Sequence, residues 1–431
     1  MSRRMKESGI EWIGEIPTNW KLHRIQYYLE EINEKNNPIK TTNVLSLIKD
    51  KGVMLYKDKG NKGNKAKEDI SEYKVAYPNT LVVNSMNILI GSVGISDFYG
   101  CVSPVYYVFR ETEKSDLRFI NYIFQTREFQ KELKKYAKGI LEIRMRISSS
   151  NIFKRKIPFP DKKEQQKIAN YLDEKVSEID KLIIKTKESI EEYKKYKQLI
   201  ITNAVTNGLN PNTKMKESGI GWIGKIPNHW EKCKVKYMGF TQNGLSIDAD
   251  YFGSGYPFVS YSDVYNNFSL PRHVNGLVQS TNEDRWKYSV VKGDIFFTRT
   301  SETIEEVGYS SVCEESIKNA TFSGFLIRLR LTNDKLITGY AKYYFRSLHN
   351  RFYLVKEMNL VTRASLSQPL LKGMTILIPP KEEQLRISNY LDKKCFEIDG
   401  LIEKKNKLVL ELEKYKKSLI YEYVTGKKEV K

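Results

Sequence analysis

The sequence predicts an α+β protein made as a tandem repeat. Two mixed α/β domains in pseudo-twofold arrangement are joined by two long helices that pair as an antiparallel coiled coil. Two observations carry this. Residues 5–20 read MKESGIEWIGEIPTNW and 215–230 read MKESGIGWIGKIPNHW, twelve of sixteen positions identical at an offset of 210 residues. EQQKIANYLDEKVSEIDKLI from Glu164 returns as EQLRISNYLDKKCFEIDGLI from Glu383, at an offset of 219. Two blocks repeated in the same order make one half of the chain a copy of the other. The stretches between the blocks barely match, so a duplicated frame carries two divergent inserts.

The repeat divides the 431 residues into a first domain over 1–160, a helix and linker over 161–214, a second domain over 215–380, and a second helix with a basic tail over 381–431. In the first insert, YKVAYPNTLVVNSMNILIGSVG holds short β-branched runs punctuated by Pro78, Asn79 and Gly91, and PVYYVFR reads as a further strand. In the second, VVKGDIFFTRTS and FLIRLR have the same character. SPVYYVFR ending at Arg110 lines up with SGFLIRLR ending at Arg330, which points to one fold that diverged after duplication.

The helices follow from heptad spacing. Leu172, Val176, Ile179, Ile183, Ile190, Tyr193 and Ile200 recur at alternating steps of four and three, with Thr186 and Lys197 filling the breaks. The second copy places Leu391, Cys395, Ile398, Ile402, Val409, Leu412 and Leu419 on the same seam, with Lys405 and Lys416 at the matching breaks. Each helix is expected to run about 44 residues, roughly 65 Å. Prolines in IPFPDKKEQ and ILIPPKEEQ mark the starts, and Gly208 and Gly426 the stops. Pairing the two seams with each other buries both.

Hydrophobic residues make up 40% of the chain, enough for packed cores, and no apolar run approaches the roughly 18 residues needed to span a bilayer. No signal peptide is visible at the N-terminus, so the expected location is the cytoplasm. Four cysteines without CxxC spacing and four dispersed histidines read as packing or surface residues, not as a metal site. The net charge of +20 is unevenly placed. Residues 1–160 carry 28 Lys/Arg against 18 Asp/Glu and 207–380 carry 21 against 15, whereas 161–206 and 381–425 each carry ten against nine. The basic excess lies on the inserts, as expected if they touch a polyanion.

Among motifs, Gly219, Gly221 and Gly224 have GxGxxG spacing, but Glu11 replaces the middle glycine in the first copy and no strand precedes either. A pyrophosphate cradle needs that strand, so no nucleotide loop is assigned. Trp12 with Trp20, and Trp222 with Trp230, read as anchors of the repeated block. The segment YKDKGNKGNKAK places Lys57, Lys59, Lys62, Lys65 and Lys67 on one loop. It is either a phosphate-contacting finger or a solvated surface loop. Arg272, Arg285 and Arg299 of the second insert are candidates for forked bonds to guanine or phosphate. Arg144 and Arg363 correspond across the repeat and are candidates of the same kind, or an ion-pairing device at the joint with the helix.

The opening ESGIEWIGEIPTNW, its copy ESGIGWIGKIPNHW, and the helix starts IPFPDKKEQQKIANYLDEKVSEIDKLI and IPPKEEQLRISNYLDKKCFEIDGLI alternate with variable inserts. In this arrangement the chain resembles the specificity subunit of type I restriction-modification systems over essentially its whole length. The resemblance implies a subunit without a catalytic centre. Each insert would be a target recognition domain that reads one half of a split double-stranded DNA sequence. The paired helices would fix the gap and dock two modification (methyltransferase) subunits that bind S-adenosylmethionine. Two ATP- and Mg-dependent restriction subunits would complete the complex. No cofactor is expected in this chain. The rival reading is a coiled-coil adaptor that binds protein without reading bases, which leaves the placement of positive charge unexplained. A stand-alone methyltransferase or nuclease would need a cofactor loop or a carboxylate cluster, and the sequence displays neither.

Overall fold

The heptad seams form two long helices, Lys162–Asn207 of 46 residues and Lys381–Val424 of 44 residues. The computed structural model describes residues 3–49, 51–60, 65–139, 145–301, 306–357 and 364–430. The chain divides into two units, Met1–Lys187 with Lys407–Lys431, and Glu188–Asn406. Each unit therefore contains the first part of one long helix and the last part of the other.

In the first unit the Tyr171 and Tyr423 rings lie 4.6 Å apart and Lys187 reaches Glu413 at 3.4 Å. In the second, Lys405 sits over the Tyr193 ring at 5.6 Å. Rising numbers on one helix meet falling numbers on the other, so the segments are antiparallel. Leu172, Ile179, Ile183, Ile190, Leu391, Cys395, Ile398, Val409 and Leu419 are buried. Val176, Tyr193, Ile200, Ile402 and Leu412 are half-buried. Each fully buried Leu or Ile contributes roughly 1.5–3 kcal/mol.

The inserts share a sheet. In the first unit four antiparallel strands lie in the order Leu29–Ile32, Tyr106–Glu111, Thr80–Asn84, Val93–Ser96. In the second the order is Gly239–Asn243, Leu326–Leu331, Ile295–Thr298, Ser310–Val312. Phe109, paired with Glu31 and Leu81, holds the same place as Leu329, paired with Thr241 and Ile295. Both are fully buried.

What surrounds the shared sheet differs. The first insert adds the hairpin Leu45–Ile48 with Gly52–Leu55. The second adds Phe252–Val259 between Leu277–Val278 and Thr321–Phe322, with short helices Tyr261–Asn266 and Asn282–Lys287.

Each insert is closed at its base by a two-stranded pairing. Lys21–Arg24 pairs with Lys156–Phe159, and Glu231–Lys234 pairs with Thr375–Ile378. The strand leaving the repeated block thus meets the strand that leads into the long helix. Cys101, Cys313 and Cys395 are buried free thiols, and Cys233 is half-buried. Burial pushes the Cys101 thiol up to about 11 and Cys313 up to about 12. No helix among the described residues is long and apolar enough to cross a membrane.

Candidate nucleic-acid interface

The joint beneath each insert is built from the repeated residues. Trp20 and Trp230 are fully buried, and each donates its indole N–H at 3.1 Å to a glutamate in the first turn of a long helix, Glu164 and Glu383. The next residue is a buried glutamine in both copies. Gln165 donates to Pro160 O at 3.0 Å and Lys114 O at 3.3 Å, and accepts from Asp116 N at 3.0 Å. Gln384 donates to Pro379 O and Lys335 O, both at 2.8 Å, and accepts from Ile337 N at 2.8 Å. An amide serves here because the site presents both backbone acceptors and a backbone donor.

About two turns further along, Tyr122 donates to Asp173 and Tyr343 to Asp392, both at 2.7 Å. Burial, then the bonded carboxylate, pushes both phenols far up. Each insert is therefore fastened to its long helix by the same five side-chain types.

In the first insert the lysine-rich segment is tied down at its C-terminal end. The Tyr56 hydroxyl accepts from Ala66 N at 2.9 Å and the Tyr73 hydroxyl from Lys67 N at 3.1 Å. Lys57 is exposed at the tip of the turn Tyr56–Lys59, and Lys59 lies 4.1 Å over the Tyr56 ring. Lys65 and Lys67 are exposed, and Lys62 lies outside the described residues. The four described lysines thus occupy an anchored basic surface.

In the second insert the candidate arginines already have partners within their own domain. Arg272 pairs with Glu315 at 2.7 Å, both well exposed. The Arg285 guanidinium stacks 3.7 Å from the Tyr256 ring and donates to Ser280 O and Asn282 Oδ1. Arg299 is half-buried, and its Nη1 donates to Gly324 O at 3.4 Å. Arg144 and Arg363 lie outside the described residues. Their neighbours Ser148 and Ser367, 219 apart, each cap a short helix, accepting from Asn151 N and Leu370 N at 3.2 Å. Next to Arg285, Trp286 is 82% exposed.

The sequence reading missed two interior arginines. Arg346 donates to Ser310 O at 2.6 Å, Val264 O at 2.7 Å, Tyr265 O at 3.0 Å and Asn267 O at 2.7 Å, and lies over the Phe268 ring. Arg328 is 1% exposed, donates to Ser289 O at 2.6 Å and to Gln242, and lies near the Phe322 ring. Burial draws both guanidiniums down to about 10. Beside Arg328, Arg330 forms a two-pronged pair with fully buried Asp294 at 2.7 Å. Part of the positive excess of this insert thus braces the domain from inside. The alternating run FLIRLR carried the available signal, since it places Arg328 and Arg330 on one face of a core strand. Among the described residues no group of three or more His, Cys, Asp or Glu side chains is placed to hold a metal ion.

Comparison with known proteins agrees with this architecture. The family described as type I restriction modification DNA specificity domain matches twice, over residues 24–192 and 227–413. The EcoKI specificity subunit of Escherichia coli K12 is 28% identical over 239 residues, covering 54% of this chain and 48% of that one. The MjaVIII specificity subunit of Methanocaldococcus jannaschii is 26% identical over 289 residues, covering 64% and 63%. The matched region thus spans about half the length of the first of these relatives. A solved chain from a type I R-M system superposes with a TM-score of 0.72 at 14% identity, covering 95% of this chain and 98% of that one. The HsdS subunit from Thermoanaerobacter tengcongensis gives 0.52 at 16%, with the same coverage. These two show a shared fold.

Proposed function

The chain belongs to the type I restriction-modification DNA specificity family, and from that premise we propose that it is the sequence-reading subunit of a type I complex. Each insert reads one half of a bipartite target in double-stranded DNA, and the paired helices set the gap between the halves. Two modification subunits dock on the repeated segments and bring S-adenosylmethionine. Two restriction subunits bring ATP and Mg chemistry. This chain holds no cofactor, performs no bond-making step of its own, and works in the cytoplasm.

The observation that carries the reading is the common four-stranded sheet in two differing settings. One scaffold fastened identically to both helices, yet bearing a basic hairpin region in one copy and a ribbon with short helices in the other, suits two unlike half-sites. Lysines such as Lys57, Lys65 and Lys67 gain affinity by releasing counterions from DNA, independently of sequence. Discrimination comes from a few donors at base edges, about 1–3 kcal/mol for each good two-pronged pair. Arg272, Arg285 and Arg299 remain the candidates in the second insert, with the exchange of an internal partner for a base edge as part of their cost.

The test is a long-read methylome of a methylation-free host that expresses the chain with its modification subunit, set against the modification subunit alone. A single split motif with a fixed gap, adenine-methylated only when this chain is present, is the expected result. If the two proteins form a complex and no motif is modified, the DNA-reading role is wrong and a protein-binding adaptor takes its place.

A further inference from the structure

The first insert also contains a concave site. A cleft of about 350 Å³ lies between the hairpin Leu45–Ile48 with Gly52–Leu55 and the turn Asn87–Ile90, within the size range of small-molecule clefts, about 300–1,000 Å³. Tyr56, Tyr73 and Tyr106 line it, Lys49, Lys59 and Lys65 also line it, and among the described residues no acidic side chain does. Two of the tyrosine tips are tied. Tyr56 and Tyr73 accept from the backbone of the lysine-rich segment, and Tyr106 lines the cleft together with buried Asn84. Asn84 in turn accepts from Met86 N at 3.0 Å and Asn87 N at 3.3 Å, which sets the turn that carries exposed Asn87 and 54%-exposed Ile90.

Side chains that read a base edge within a duplex must protrude into a groove, because the edge is recessed. A concavity does the reverse and receives a group that protrudes from the nucleic acid. Lysines without acids select a phosphate, and aromatic walls with amides and hydroxyls select a flat ring with a hydrogen-bonding edge. We propose that this cleft receives one nucleotide whose base has left the helical stack, its phosphate held by Lys49 and Lys65 and its base set among Tyr56, Tyr73 and Tyr106. Ile90, apolar and exposed at the mouth, is the group suited to fill the space the base vacates. The inference rests on the DNA-reading function proposed above. The same chemistry would also accept a free mononucleotide.

The experiment uses the full chain with its modification subunits and a duplex carrying the target motif. 2-Aminopurine replaces one base at a time across the half-site read by the first domain, on both strands. Binding is expected to raise fluorescence at one position other than the adenine that becomes methylated. Asn87→Ala and Ile90→Ala, both surface changes, are expected to remove roughly half or more of that rise when measured at duplex saturation, which anisotropy verifies. If the duplex is bound but only the methylated adenine brightens, or the variants brighten as the parent does, the extruded-nucleotide inference is overturned and the DNA-reading function stands. If the parent complex does not retain the duplex at all, it is that function which fails. Calorimetry with deoxynucleoside monophosphates separates the other source: binding that Lys65→Glu abolishes, without brightening at any position, assigns the cleft to a free nucleotide and overturns the DNA source.

Discussion

Lys197 donates to both carboxylate oxygens of Asp399, at 2.8 and 2.6 Å. Under the 219-residue repeat Lys197 corresponds to Lys416 and Asp399 to Asp180, and Lys416 donates to both oxygens of Asp180 at 2.7 Å. Two of the three lysines that interrupt the apolar seam, Lys197 and Lys416, thus tie the two helices together, one in each unit. Their side chains are partly solvated, Lys197 15% and Asp399 55% exposed, so each pair contributes modestly. A double-mutant cycle of Lys197→Ala and Asp399→Ala in urea denaturation is expected to give a coupling of about 0.5–1 kcal/mol. The exchange K197D with D399K is expected to recover most of it. A coupling indistinguishable from zero would mean that the pair does not help hold the helices.

The buried glutamines are a stronger joint. Gln384→Leu leaves Ile337 N, Lys335 O and Pro379 O without their partner inside the protein, which is expected to cost about 2–4 kcal/mol. Gln384→Glu keeps the shape but loses the donor, and is expected to be no better. Equilibrium denaturation of both variants measures this. Near-neutral behaviour would show that water satisfies those groups.

The frame was legible in the sequence because its contacts are specific. Trp20 with Glu164, and Trp230 with Glu383, need those residues, and duplication kept them readable. The shared sheet was legible only in part. LEEI of Leu29–Ile32 and GFTQN of Gly239–Asn243 occupy the same place in the two sheets without sequence likeness, since an edge strand asks for backbone pairing and half-burial that many sequences supply. Arg285 could be named from its chemistry, but its stacking on Tyr256 joins residues 29 apart and has no local signature. Arg346 lies beyond any local pattern, because its four carbonyl partners come from segments 36 or more residues away.

The two helix stops can be tested at one atom. Gly426 ends the second helix with φ +73°, and a Cβ there would stand 2.4 Å from Pro17 Cδ, against the repeated block of the first unit. Gly426→Ala therefore combines a left-handed backbone with a backbone-anchored clash and is expected to cost about 1–3 kcal/mol. Gly221, which has open space around it and no positive φ, is the control, and Gly221→Ala is expected to leave the melting temperature within about 1 °C. Equal effects at the two positions would contradict the capping role.

His349 gives the second unit a pH dependence. Burial holds its pKa below the ordinary value, against a smaller opposing effect of its bond to Trp222. Below pH 6.5 the unfolded chain binds a proton that the folded chain resists, so stability falls as pH drops through that value. His349→Gln removes this dependence. The melting-temperature difference between pH 7.5 and 5.5 is expected to shrink in the variant, and an unchanged difference would assign the acid sensitivity to other groups.

The two ion pairs also define where the helices can be lengthened. Asp180 and Lys416 pair in the first unit and Lys197 and Asp399 in the second, so seven residues added to the first helix between 180 and 197, and seven to the second between 399 and 416, leave both pairs and the seam register intact. Seven residues add about 10.5 Å, which at about 3.4 Å per base step is about three base pairs. The methylome of this variant is expected to show the same two half-sites with a gap about three base pairs longer. Insertion into one helix alone keeps the seam in phase but lets only one of the two ion pairs form, the other being displaced by seven residues, and is expected to lower stability and methylation together. Altered half-sites with an unchanged gap would show that the paired helices do not set the spacing.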